Sequence, residues 1–113
     1  MPDPLELLEL AERVENATGS DRNLDADIMR AVGQAGLKAD YQPTPFTASL
    51  DAAMQLVPEG TLWRVNKWAN GADASVAFVK PYREGPRCTA ATPALALCAA
   101  ALRALASQGN NNA

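Results

Sequence analysis

The polar and apolar positions of this chain change period twice. From Pro4 to about Ala17 the apolar residues Leu7, Leu10, Ala11, Val14 and Ala17 recur at three- and four-residue steps, with Glu6, Glu9, Glu12 and Glu15 mostly between them. That spacing predicts an amphipathic helix, with Asp3 as N-cap, Pro4 at the first helical position and Gly19 as the stop. Leu24, Ile28, Ala31, Val32 and Ala35 repeat the spacing and predict a second helix, Leu24 to Ala35, capped by Asn23 and closed by Gly36. The loop between the two is so short that they should be neighbours. Pro43 and Pro45 make the next stretch irregular. Thr47 or Ser49 then caps a short third helix, Leu50 to Val57, with Leu50, Ala53, Met54 and Val57 facing inward and Pro58-Glu59-Gly60 ending it.

The period then drops to two. Thr61 to Trp68 alternates, with Leu62, Arg64, Asn66 and Trp68 on one side and Trp63, Val65 and Lys67 on the other. A turn is expected over Ala69 to Asp73, around Asn70-Gly71. A second strand is expected from Ala74 to Tyr82, with Val76, Phe78, Lys80 and Tyr82 sharing a face, and Arg83 to Ala91 reads as a mobile loop. The helical period returns at Thr92, a clear N-cap followed by Pro93. Thr92 to Ser107 is apolar on nearly every side and carries one charge, Arg103, so other elements must cover it. Gly109 should terminate it.

The order α-α-α-β-β-α implies one α+β domain over residues 1–109, an α-β-α sandwich-like arrangement with a small antiparallel sheet, and a frayed tail at 110–113. Two strands alone are marginal. A third strand from residues 37–46, or hairpins paired between two chains, would complete the sheet, with helices on both sides of it or one helix layer plus a dimer contact. Self-association is the expectation.

Composition narrows the chemistry. The 113 residues include no histidine, which removes the commonest general base and metal ligand. Two cysteines are too few for a disulfide framework, and Cys98 reads as a buried apolar side chain. Cys88 shares a basic loop with Arg83 and Arg87, cations that would lower its pKa, but it has no histidine to act beside it. Asp25 and Asp27, two apart on a helix, do not face each other, and Asp51 complements a helix dipole. No phosphate-binding glycine loop and no metal-ligand spacing occurs. The expectation is a protein that is not an enzyme and uses no cofactor and no metal. No apolar run suits a membrane span, and the acidic N-terminus is unlike a secretory signal, so a cytoplasmic location is expected.

Charge is unevenly placed. Residues 61–87 hold five basic side chains (Arg64, Lys67, Lys80, Arg83, Arg87) against Asp73 and Glu84; the remainder holds five basic against eleven acidic. A net charge of −3 argues against general nucleic-acid binding, whereas a basic hairpin bearing two tryptophans suits a small anion. The candidate ligand-binding residues are therefore Trp63, Arg64, Lys67, Trp68, Lys80, Arg83 and Arg87. Trp63 and Trp68 face opposite sides, so one is expected in the core and the other free to stack on a base or anchor a protein. The opposing reading is that these cations keep a sheet edge soluble.

Three stretches together, LLELAERVENATGSDRNLDADI, FTASLDAAMQLVPEG with an aromatic strand close behind it, and ATPALALCAAALRAL, resemble the phage ABA-sandwich domain family. The chain differs in carrying Phe46 where tyrosine is usual and in lacking a tryptophan after helix two. The resemblance implies an α-β-α sandwich and a small phage or prophage protein acting in the host cytoplasm. A counter-defence role follows from that company. It would act by sequestering a nucleotide-like signal, by docking on a defence complex such as a CRISPR effector, or as a structural or virion-associated module.

Overall fold

A computed structural model describes residues 4–32, 45–79 and 82–110, the last three of these by backbone alone. Its elements are α1 (Pro4–Asn16), α2 (Arg22–Ala31), α3 (Leu50–Met54), β1 (Thr61–Trp68), β2 (Gly71–Val79), β3 (Tyr82–Glu84), β4 (Cys88–Ala90) and α4 (Pro93–Asn110). The protein is α+β with a small antiparallel sheet, in the helix–strand–helix order its periodicities predict.

α4 is the centre of the packing. Every residue from Ala94 to Leu102 is buried, and the helix lies between α1 and α3 on one side and the sheet on the other. Alanine on most of its circumference lets both layers approach closely. Leu95, Leu97 and Leu102 are fully buried, at a stabilisation of roughly 1.5–3 kcal/mol each. Thr92 caps the helix, its hydroxyl accepting from the Leu95 amide at 3.2 Å. Contrary to the sequence expectation, the backbone continues helically through Gly109 to Asn110. α1 places Leu7, Leu10, Ala11 and Val14 against α4, and Arg103 fastens the two helices with a paired contact to Glu15, 2.7 and 3.2 Å.

The shorter helices differ from expectation at their ends. Asp21, rather than Asn23, caps α2, its carboxylate accepting from the amides of Asn23 and Leu24, so the helix starts two residues early. Residues 33–35 of the expected second helix lie outside the described residues. α3 stops at Met54, because the amides of Gln55, Leu56 and Val57 turn back to carbonyls three residues earlier. That tighter winding buries Ala52, Ala53 and Leu56 and leaves Leu50 and Met54 exposed, where Leu50 and Met54 had been expected inward. The 45–49 segment is fixed from two sides. Thr47 donates from backbone and hydroxyl to buried Asp25, at 2.9 and 2.8 Å, and the Cys98 thiol donates to the Phe46 carbonyl at 3.1 Å.

The sheet is built around β2. β1 pairs with it from Thr61↔Phe78 to Trp68↔Gly71, closed by the two-residue turn Ala69-Asn70, so β2 starts at Gly71 and not at Ala74. β3 and β4 both pair with the other edge of β2, through Ala77↔Glu84 to Val79↔Tyr82 and Ala72↔Ala90 to Ala74↔Cys88. The third strand thus comes from residues 82–90, where Tyr82 had been expected to end the second strand and Arg83 onward to be a mobile loop, and is interrupted only at Gly85-Pro86-Arg87. Of the 37–46 alternative, Pro45 and Phe46 lead a turn and the rest lies outside the described residues. At the interruption the Gly85 amide donates to the Val76 carbonyl at 2.9 Å, and a Cβ there would stand 2.5 Å from that oxygen. Gly71 is needed at the hairpin: its φ is +154°, and a Cβ would meet the Ala90 carbonyl at 2.9 Å.

One sheet face carries Ala72, Ala74, Val76 and Cys88 onto α4, with Phe78, Val65 and Ala90 at its margin. Among the described residues no helix covers the other face.

Candidate functional site

The register sorts the seven candidate residues onto two faces. Residues paired across an antiparallel sheet share a side. Trp63 (opposite Val76), Lys67 (opposite Ala72) and Arg83 (opposite Phe78) belong to the helix-facing side; Arg64 (opposite Ser75) and Trp68 (opposite Gly71) belong to the open side. Arg87 joins the open side through Asp73. Lys80 lies outside the described residues. The structure therefore does not gather the seven into one cluster. Tyr82 also departs from expectation: the chain enters β3 at this residue, and its pairing with Val79 sets it on the open face, away from Phe78.

Neither tryptophan is core, where one had been expected. Trp63 is 40% and Trp68 53% exposed. β1 is the edge of the sheet and overhangs the margin of α4, so the helix-facing side of its central residues finds little to pack on beyond Val65.

On the open face a polar network surrounds Asp73. The Asn66 amide donates to its Oδ1 at 3.1 Å, the Trp68 indole N–H donates to its Oδ2 at 2.7 Å, and Arg87 Nε lies 3.6 Å from the same oxygen. Solvent reaches only 1% of Asp73, although its cover is a single layer of side chains on an open surface. The Asn66 hydrogen bond, then the Trp68 bond and the Arg87 and Arg64 charges, hold its carboxyl below the ordinary range, while loss of hydration works the other way. Farther along, Arg64 reaches over β2 to Glu84 at 3.2 Å. Beside that pair lies a shallow basin of about 310 Å³, floored by Ser75 and Ala77 and walled by Leu62, Tyr82 and the Arg64–Glu84 pair. Leu62 and Tyr82 expose apolar surface at its walls, and Trp68 and Val79 expose more elsewhere on the same face.

Asp73, Tyr82 and Leu62 are parts of this surface that residue type alone did not single out. Asp73 had been assigned to the turn. Continuing the alternation of β1 backwards through a two-residue turn places it opposite Asn66, and that was the available signal.

The helix-facing side has a smaller pocket of about 130 Å³ between β2, β3 and α4, lined by Val76, Phe78, Arg83, Arg103 and Ala104 among others. The Arg83 guanidinium stands 5.0 Å from the centre of the Phe78 ring, and no carboxylate pairs with it among the described residues. Arg103 is occupied by Glu15.

Cys88 is not the activated thiol its arginine neighbours suggest in the sequence. It is buried in β4, and burial, then the nearby Glu15 charge, pushes its pKa up to about 12. Burial does the same for Cys98, also to about 12. Among the described residues no three acidic or cysteine side chains are grouped to hold a metal ion, and no helix is long and apolar enough to cross a membrane.

Comparison with family models, curated proteins and solved structures finds no match to this chain.

Proposed function

We propose that the protein is a non-enzymatic binding module whose working surface is the open face of the sheet and whose ligand is another protein. The observation that carries this reading is the state of the cations there. Arg64 is paired with Glu84 and Arg87 with Asp73, so the face presents a near-neutral, aromatic and aliphatic surface around a shallow basin. A nucleotide needs unpaired cations converging on its phosphates. A protein interface needs exposed aromatic and arginine anchors on a nearly flat ground, and Trp68, Tyr82, Leu62 and Arg64 are such anchors. On this reading the phage resemblance favours a counter-defence inhibitor that docks on a host defence complex in the cytoplasm.

Sequestration of a small nucleotide-like anion is the second reading. It is favoured by Arg83, whose guanidinium lies over Phe78 beside the 130 Å³ pocket without a carboxylate partner among the described residues.

The two readings separate on variants. In bacterial lysate, a stoichiometric partner retained by the wild type and by Arg83→Ala, and lost by Trp68→Ala combined with Tyr82→Ala, supports protein docking. A partner held equally by the double variant overturns it. Calorimetric binding of a cyclic nucleotide that Arg83→Ala abolishes establishes the second reading in its place.

A further inference from the structure

β1 is an edge strand eight residues long, without proline or bulge, and among the described residues nothing pairs with its outer side. Which backbone groups face outward follows from one hydrogen bond. Gly85 donates to the Val76 carbonyl, so Val76 turns its backbone polar groups toward β3 and β4 and away from β1. Trp63, its partner in register, then forms a non-hydrogen-bonded pair and directs its own N–H and C=O to the free edge. By alternation Thr61, Val65 and Lys67 do the same, consistent with Trp68–Gly71 closing a two-residue turn.

We infer that this edge pairs with the same edge of a second copy, antiparallel about a two-fold axis at Val65. Only an axis on a residue keeps each face of the two sheets continuous. An axis at Arg64 or Lys67 sets like charges opposite each other. An axis at Trp63 or Asn66 overlaps about five residues of each β1, because the strand runs out on one side. The axis at Val65 overlaps Leu62 to Trp68 in full. It places Val65 against Val65, Leu62 against the partner's Trp68 on the open face, and Trp63 against the partner's Lys67 on the helix side. Lys67 joins no ion pair among the described residues, and Trp63 and Trp68 are the half-exposed rings of β1. The charge that would guard a lone edge becomes a cation–π contact across the axis. The Trp63, Val65 and Lys67 backbones gain partners, and two three-strand-wide sheets become one. On the open face the seam takes up Leu62 and Trp68, two of the docking anchors named above, but the pairing is argued from backbone register and rests on no reading of what that face binds.

Sedimentation velocity of the intact chain between about 1 and about 500 µM should show a monomer–dimer equilibrium. Val65→Pro removes an N–H that points away from β2, and its dimer should dissociate at least about tenfold more readily. Residue-resolved amide exchange on the wild type provides a second measure that does not require the variant to fold. The Trp63, Val65 and Lys67 amides should slow as concentration rises, while those of Arg64 and Asn66 are already protected when dilute. A monomer throughout that range, or a dimer in which those three amides exchange as they do when dilute, overturns the inference.

Discussion

The indole N–H of Trp68 donates to the carboxylate of Asp73 at 2.7 Å, joining the last residue of β1 to a β2 residue that pairs with Asn66. This contact holds a half-exposed tryptophan in one orientation on the open face and, after the Asn66 hydrogen bond, helps to hold the nearly inaccessible Asp73 carboxyl below its ordinary range. Its consequence is an acid sensitivity of defined sign. A carboxyl whose pKa is depressed in the folded state contributes stability that is present above its unfolded pKa of about 4 and is lost as pH falls through the folded value. Thermal melts of the wild type should therefore drop more steeply below about pH 4 than those of Asp73→Asn, and the two proteins should converge as acid removes the wild-type charge. Trp68 emission should shift with the same acid transition.

The Glu15–Arg103 contact is half buried and made through two nitrogens. Glu15→Gln leaves the guanidinium with a weaker acceptor between α1 and α4. Solvent screening keeps the cost below that of a fully buried pair, at about 1–2 kcal/mol, read as a lower urea midpoint with unchanged slope.

Gly85 has no room for a side chain. Gly85→Ala should push the backbone off the Val76 carbonyl and loosen β3 and β4 together, costing on the order of 2 kcal/mol. Faster exchange of the Gly85 amide would locate the damage. A variant as stable as wild type, with that amide still protected, would contradict the bridging geometry.

Both cysteines should be silent toward a thiol reagent at pH 8. Each is buried, and each is held neutral by a pKa near 12. Native protein should react only at the rate at which it opens, and denatured protein should titrate two thiols at once. Prompt labelling of Cys88 in the native state would show that β4 does not stay paired.

Leu102 is fully buried on α4. Leu102→Ala should cost about 2–5 kcal/mol and lower the melting temperature sharply. Leu5→Ala, on the outer side of α1 where Leu5 is 70% exposed, should cost less than about 0.5 kcal/mol.

The sequence by itself determined the periodic elements. The inward stripe of α1, all of β1, the Thr92-Pro93 start of α4 and the need for that helix to be covered are local facts, set by side-chain spacing and by capping chemistry that each segment carries alone. The tertiary structure decided what local spacing cannot express. Arg83 to Ala90 looks like a polar loop because the strands there are three residues or fewer and broken by Gly85-Pro86; only the free edge of β2 turns Tyr82 to Ala90 into a third strand. Cys88 looks activated beside two arginines until pairing with Ala74 takes it into the core. The candidate cations share one stretch of chain, yet a strand alternates its faces, and Arg64, Arg87, Lys67 and Arg83 divide between two sides. Whether a charge is free or spent depends on which carboxylate the register sets beside it, and register is a property of two strands together.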